Sequence, residues 1–392
     1  MGAHWAPSNG ELLRVFVIAG EPSGDVLGAS LMAALKIKRL DKIQFMGVGG
    51  ERMSKEGLRS LFPIADLSIM GVLEVLPRLF KLHRRILETV KAINEYSPDL
   101  LITIDSPGFN FGVLKRLIKS KDTKRVHYVA PSVWAWRPGR VKKFSREFDH
   151  LLALLPFEPE YFEPSGLPTT FVGHPVIEFE MSSVNGIKFR EQHGLDMSAP
   201  LICVLPGSRK GEIRRHLKPF REAVRLLRVS QPKINVVIPT ISTLKDEIIR
   251  AVEGWNVKVI VVEDVNSKYS AMAASNVALA ASGTVALELA LARVPSVIAY
   301  KVNTITSWVI KILVRVKYAN LVNILLDREA VPEFLQGRCN GKNLAQSIEK
   351  LLTDRNVYKA QQYYAEEAIL LLRSKEGSPS DVAASTALSL VK

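Results

Sequence analysis

Asp105 follows the apolar run Leu100-Leu-Ile-Thr-Ile104 and opens the segment Asp105-Ser-Pro-Gly-Phe-Asn110. A carboxylate at the carboxyl end of a buried strand is costly unless hydrogen-bonded, and groups held there often work as acids or bases. A cap on a helix near Phe109–Ile118 fits the same spacing. Glu21 and Asp25 are the next carboxylates of interest, in Gly20-Glu-Pro-Ser-Gly24-Asp-Val-Leu-Gly28. Glycines there allow a tight turn from strand into helix, and with Ser23 and Gly24 they could bring N–H groups to a ligand. The four-residue glycine spacing, with no Gly-Lys-Ser/Thr after it, excludes the dinucleotide fingerprint and the P-loop.

Two loops of the second half suit a nucleotide sugar. Leu205-Pro-Gly-Ser-Arg209 offers the donors of Gly207 and Ser208, and Arg209 can pair bidentately with phosphate oxygens. Ala281-Ser-Gly-Thr284-Val-Ala-Leu-Glu288 opens a helix, where N–H groups and the macrodipole favour a pyrophosphate. Ser282, Gly283 and Thr284 would hold it, and Glu288, one turn on, could reach ribose hydroxyls. A structural turn with a solvated arginine, and an N-cap from Ser282 or Thr284, are the plainer readings. In Val129-Ala-Pro-Ser-Val-Trp-Ala-Trp136-Arg-Pro-Gly-Arg140, two tryptophans flanked by prolines either staple the loop or present a packing surface. No Asp-x-Asp, His-Glu-x-x-His or paired Cys-x-x-Cys occurs, so no metal or cofactor is expected.

These loops need a scaffold, and the pattern supplies one. Short β-branched runs alternate with helical periods, the mark of α/β domains with parallel sheets. The expected strands are 14–20, 43–48, 100–105, 125–130, 151–155 and 170–173 in the first half. In the second they are 201–205, 234–239, 257–262, 276–280 and 296–300. Between His174 and Pro200 the pattern turns polar and loses its period. The expected division is therefore 12–175, 200–340 and C-terminal helices over 341–392, with the two sheets facing a ligand-binding cleft. Cys203 and Cys339 read as free thiols in a reducing compartment. Met1–Gly10 has no signal-peptide character, and nothing reads as a bilayer span, Tyr269–Leu287 being uncharged yet rich in Ala, Ser and Gly. A net charge of +14 promises an anionic partner without naming it.

Taken together, these motifs resemble lipid-A-disaccharide synthase. Further matching pieces are Met70-Gly-Val-Leu-Glu-Val-Leu76, Leu155-Pro-Phe-Glu158, Gly173-His-Pro175 and Asn323, in order from about Arg14 to about Gln336. The runs Gly-Glu-x-Ser-Gly-Asp and Ser-Val-Trp-Ala-Trp are specific to that family. The resemblance implies a GT-B fold of two Rossmann-like domains, the first on the acceptor side and the second binding the UDP-sugar. It implies inverting transfer from UDP-2,3-diacylglucosamine to 2,3-diacylglucosamine 1-phosphate, giving the β-1,6-linked disaccharide phosphate and UDP without a metal. Gly108 stands where the family often has a second aspartate, which leaves Asp105 as the only carboxylate of its loop. Asp105 is the expected base, with Glu21 and Asp25 in reserve.

Acylated substrates imply a cytoplasmic enzyme peripheral on the inner face of the cytoplasmic membrane. The expected contact is Met70–Arg85, through Val72, Leu73 and Leu76 with Arg78, Lys81, Arg84 and Arg85 behind them. The stripe Ile305–Lys317 is a second candidate, and each could instead be a core-facing helix. Another GT-B enzyme, an epimerase or a peptidoglycan-type transferase, is the nearest alternative. A nucleic-acid-binding protein would explain the charge, yet no nucleic-acid module appears, and no nucleic-acid partner is expected.

Overall fold

The computed structural model describes residues 12–40, 42–67, 75–118, 120, 122–303 and 316–391. They form two compact units, one running to Pro175 and resuming at Leu372, the other spanning Val176–Leu371. Each is built on a wholly parallel sheet. The first contains β1 (Leu13–Ala19), β2 (Ile43–Val48), β3 (Arg59–Ser60), β4 (Leu100–Ile104), β5 (Lys124–Tyr128), β6 (His150–Ala153) and β7 (Thr169–Phe171), ordered β3-β2-β1-β4-β5-β6-β7. The second contains β8 (Leu201–Leu205), β9 (Asn235–Pro239), β10 (Lys258–Val262), β11 (Val277–Ala281), β12 (Ser296–Tyr300) and β13 (Glu333–Leu335), ordered β10-β9-β8-β11-β12-β13.

Central strands buried on both faces read as continuous apolar runs, because successive side chains feed opposite cores. In β1, Val15, Val17 and Ala19 join Leu27, Leu31 and Leu35 of the helix Pro22–Arg39. Phe16 and Ile18 join Ile86, Ile93 and Phe111 of the helices Val75–Tyr96 and Pro107–Leu114 on the other side. In the second unit, Ile202 and Val204 pack with Ile213 and Phe220 of the helix Lys210–Ser230 and Leu344 and Ile348 of Gly341–Thr353.

The helices of 341–392, expected as one group, divide between the units. Gly341–Thr353 and Arg355–Leu371 belong to the second, and Pro379–Ser389 belongs to the first, where Val382, Ala383, Ala387 and Leu388 close the core over Pro22–Arg39. The second unit also begins at Val176, ahead of the expected 200. Arg190 accounts for much of that early start. Its buried guanidinium donates to the carbonyls of Asp196, Ala199 and Ala274 and to Asn276 Oδ1, binding the short helix Gly186–Gln192 to the sheet. Cys203 and Cys339 are both free and buried. Among the described residues no helix is long and apolar enough to cross a membrane.

Two histidines of the first unit are buried and neutral. His127 shares a 2.7 Å hydrogen bond with Thr103 and packs against Phe144 and Phe148. Burial depresses His127 to about 3 and His174 to about 4. In the unfolded chain both titrate near 6.5, so below that pH the unfolded state binds more protons and stability falls. From pH 7.5 to 5.0, each should cost about 2 kcal/mol in urea unfolding, and His127→Gln should flatten the slope by close to one proton.

Candidate active site

In each sheet the connections reverse direction at one strand pair, β1–β4 in the first and β8–β11 in the second. The loops leaving such a pair part from one another and open a crevice at the carboxyl ends, where ligands of doubly wound folds bind. The four loops there are Gly20–Gly24, Asp105–Asn110, Pro206–Arg209 and Ser282–Thr284. These are four of the five segments chosen from sequence.

Asp105 and Ser106 are consecutive left-handed residues, with φ of 48° and 47°. Such φ values are uncommon outside glycine and carry of order 1–3 kcal/mol of strain each. The surroundings hold them there. Asp105 N–H donates to the Tyr128 carbonyl at 3.0 Å, and Asn110 Nδ2 donates to the Asp105 carbonyl at 2.6 Å. The Ser106 side chain lies where a Cβ on Gly20 would be, so position 20 tolerates only glycine while Ser106 stays. Ser106, not Asp105, takes the N-cap position of the helix Pro107–Leu114, and its side chain makes no capping bond. The half-buried Asp105 carboxylate is left with no hydrogen-bond partner among the described residues, so helix capping does not account for it.

The neighbouring loop assigns its carboxylates differently. Asp25 is 7% exposed, and its carboxylate accepts from the N–H groups of Gly50 at 2.7 Å and of Arg52 and Met53 at 3.1 Å. It therefore fixes the turn after β2 and the start of the helix Glu51–Lys55. Glu21 and Ser23 are exposed at the start of the helix Pro22–Arg39. Gly24 and Gly28 face inward. A Cβ on Gly24 would meet Ala19 at 3.3 Å, and one on Gly28 would meet Met53 Sδ at 2.6 Å. The four-residue glycine spacing thus serves helix packing at two of its three positions.

The tryptophan loop divides the two readings between its two rings. Trp134 staples, its Nε1–H donating to Glu158 Oε1 at 3.2 Å, while Glu158 Oε2 accepts from the N–H groups of Leu154 and Leu155 at 3.0 Å. Burial raises the Glu158 carboxyl to about 7 against those three donors. Trp136 is half-buried and packs against arginine side chains. Val129, at the base of the loop, has φ 81°, a strained value for a β-branched residue.

In the second unit, Gly207 has φ 116°, and a Cβ there would lie 2.7 Å from Glu212 Oε2. Ser208 and Arg209 are exposed at the start of the helix Lys210–Ser230. Arg209 meets Glu212 only at 3.8 Å with its side chain 74% exposed, a pair too weak to occupy it. Gly283 and Thr284 are exposed, whereas the Ser282 hydroxyl donates to the Ala319 carbonyl. Glu288 is held by Lys268 Nζ at 2.8 Å from both oxygens. Asn323 is fully buried, donating to the Val331 carbonyl and Glu333 Oε1 and accepting from Val331 N–H. It organises the 323–333 turn, and its side-chain amide has no N–H left for a ligand.

His216, which sequence reasoning missed, ties this region together. Its Nδ1 donates to the Pro206 carbonyl at 2.9 Å, and its Nε2 accepts from Lys301 N–H at 3.0 Å. Burial lowers its pKa, and the bond in which Nε2 accepts requires the neutral ring. Nothing in the local sequence marks a histidine six residues into a helix.

Of the expected membrane contact, Val72 and Leu73 lie outside the described residues, as do the side chains of Leu76 and Arg78. Lys81 and Arg85 are paired with Asp66, each at 2.6 Å, and Arg85 also with Glu88. Arg84 is exposed, as are Phe80 at 74% and Leu87 at 49%. Nearly all of Ile305–Lys317 lies outside the described residues.

The chain matches the lipid-A-disaccharide synthetase family model over residues 15–387. It is 47% identical to the lipid-A-disaccharide synthase of Rhodospirillum centenum, over 97% of this chain and 95% of that one. With the enzyme of Paramagnetospirillum magneticum it shares 46% identity over 97% and 98% of the two chains. Among solved structures, the UDP-GlcNAc 2-epimerase of Neisseria meningitidis bound to UDP-GlcNAc has a similar fold, with a TM-score of 0.63 at 13% identity, over 91% and 99% of the chains.

Asp25→Ala would strip three N–H groups of their acceptor and should cost about 1–3 kcal/mol in thermal unfolding. Asp25→Asn, which keeps one carbonyl oxygen, should cost less. Equal stability of all three proteins would show that this clasp carries no weight.

Proposed function

The chain belongs to the lipid-A-disaccharide synthetase family and is a glycosyltransferase of lipid A biosynthesis, and from that premise we propose how its loops divide the reaction. The first unit supplies the base. Asp105 takes the proton from the 6-hydroxyl of 2,3-diacylglucosamine 1-phosphate as that oxygen attacks the anomeric carbon of UDP-2,3-diacylglucosamine. The new C–O bond forms as the bond to UDP breaks, with inversion, and the electron pair leaves on the β-phosphate. The second unit receives that charge through Arg209, the Gly207–Ser208 turn and the N–H groups of Gly283 and Thr284.

The observation that carries this reading is the contrast among carboxylates at the first switch point. Asp25 is taken up by backbone donors, whereas Asp105 has no partner among the described residues and stands on a strained turn. Glu21 remains the reserve base. Glu288 fits ribose hydroxyls, with Lys268 orienting it, and Ser282 and Asn323 support the turns from behind. Membrane contact fits the helix Val75–Tyr96, which exposes Phe80, Arg84 and Leu87 on one side.

Mixing the protein with both acylated substrates should release UDP only when the acceptor is present, and mass analysis should find the disaccharide phosphate. UDP release without acceptor, or an epimerised sugar, would overturn the reading. Asp105→Asn should lower turnover about 10²- to 10⁴-fold while UDP-sugar binding survives. A larger loss in Glu21→Gln than in Asp105→Asn would move the role to Glu21. Arg209→Ala should weaken UDP binding about ten- to hundredfold in calorimetry. Phe80→Ser with Leu87→Ser should reduce binding to anionic vesicles and leave the melting temperature in place.

A further inference from the structure

Arg137, Arg140 and Lys143 form a cluster of cations that the steps above leave unused. The Cζ atoms of Arg137 and Arg140 lie 4.6 and 4.7 Å from the centroid of the Trp136 ring. Lys143 Nζ lies 3.7 Å from the centroid of Phe111. None of the three makes an ion pair among the described residues, whereas Arg125 of β5 pairs with Glu147 at 3.6 Å. The stretch Lys115–Arg146 holds eleven basic residues and one acid, Asp122.

Cations gathered this closely repel one another. Burial and the charge of Arg137 lower the Arg140 pKa, while burial, Lys115 and Arg140 lower that of Lys143 against the smaller opposing pull of Glu147. The aromatic rings offset part of this repulsion through their faces and leave the N–H edges of the guanidinium groups for an anion. Arg137 is itself left-handed, with φ 54°, so its side chain leaves a fixed turn.

The cluster belongs beside the proposed base. The tryptophan loop leaves β5, which adjoins β4, and the Tyr128 carbonyl at its root is bonded to Asp105 N–H. Arg140 and Lys143 are three apart on the helix Arg140–Glu147, hence on one face, and Phe111 beneath Lys143 lies in the helix that starts at the Asp105 loop.

We propose that Arg137 and Arg140, with Lys143, bind the phosphomonoester of the acceptor sugar. The inference rests on the reaction above, in which the acceptor offers its 6-hydroxyl to Asp105 and carries its phosphate on C1, on the other side of the ring oxygen. Such a group carries up to two negative charges and three terminal oxygens, which two guanidinium forks and an ammonium match. The same chemistry would recognise lipid headgroup phosphates, so the test separates the two sources.

Full-length wild type and Arg137→Gln/Arg140→Gln are assayed in non-ionic detergent micelles with 2,3-diacylglucosamine 1-phosphate and with its methyl glycoside, which lacks the phosphate. Removing the phosphate should lower wild-type kcat/KM about 100-fold. The variant should lose a similar factor on the phosphorylated acceptor, yet distinguish the two acceptors by no more than about threefold. Its UDP-sugar KM and melting temperature should match wild type, and Arg137→Lys/Arg140→Lys should recover part of the loss. Undiminished discrimination in the variant would overturn the site. So would unchanged micelle kinetics with lost binding to anionic vesicles, which would assign the cluster to headgroups. UDP release with neither acceptor in wild type would overturn the reaction and this site together.

Discussion

A parallel sheet cannot turn back on itself with a short hairpin, so every connection crosses a face, and the face it chooses determines where the sheet opens. In both units the chain fills one side of the first strand, then returns to fill the other, and the reversal falls between β1 and β4 and between β8 and β11. Elsewhere along the carboxyl edges, consecutive connections lie side by side. At the reversal they separate, leaving N–H groups and side chains facing solvent. Gly20 gives way to Ser106, and Gly207 to Glu212, so that the turns can pass there.

Buried carboxylates act as clasps throughout the structure. Asp25 gathers three N–H groups of the turn after β2, Glu158 gathers two N–H groups and the Trp134 indole, and Glu333 gathers Ala319, Asn320 and Asn323. Each replaces water with fixed donors, which makes an otherwise costly burial tolerable. Asp105 occupies a comparable place at a strand end without such donors among the described residues. Residue type alone is therefore a poor guide to role, and what separates a clasp from a carboxylate left open is the number of N–H groups pointed at it.

This explains which features were legible in the sequence. Central strands such as β1, β4 and β8 are apolar on both faces, so they stand out as uninterrupted runs. β3 and β13, with two and three residues, are too short to show a period. The glycine- and serine-rich turns were legible because close passage restricts their residue types. Their partners were not. The bonds from His216 to Pro206 and Lys301, from Asn323 to Val331 and Glu333, and from Lys268 to Glu288 join positions 8 to 85 residues apart, and no local pattern encodes them. The boundary was visible as a loss of period, but Arg190 draws the aperiodic residues after Val176 into the second unit through carbonyls that sequence cannot reveal.

The helix Pro379–Ser389 follows the whole second unit, yet it covers the helix Pro22–Arg39 of the first. A ribosome makes the first unit's sheet early, but Val382, Ala383 and Leu388 emerge only after the whole of the second unit. Until then Leu31 and Leu35 lack part of their cover, while the second unit, contiguous from Val176 to Leu371, already has all of its residues. The order of completion on the ribosome is thus the reverse of the order in the gene. The waiting first unit exposes apolar surface of the kind that chaperones bind.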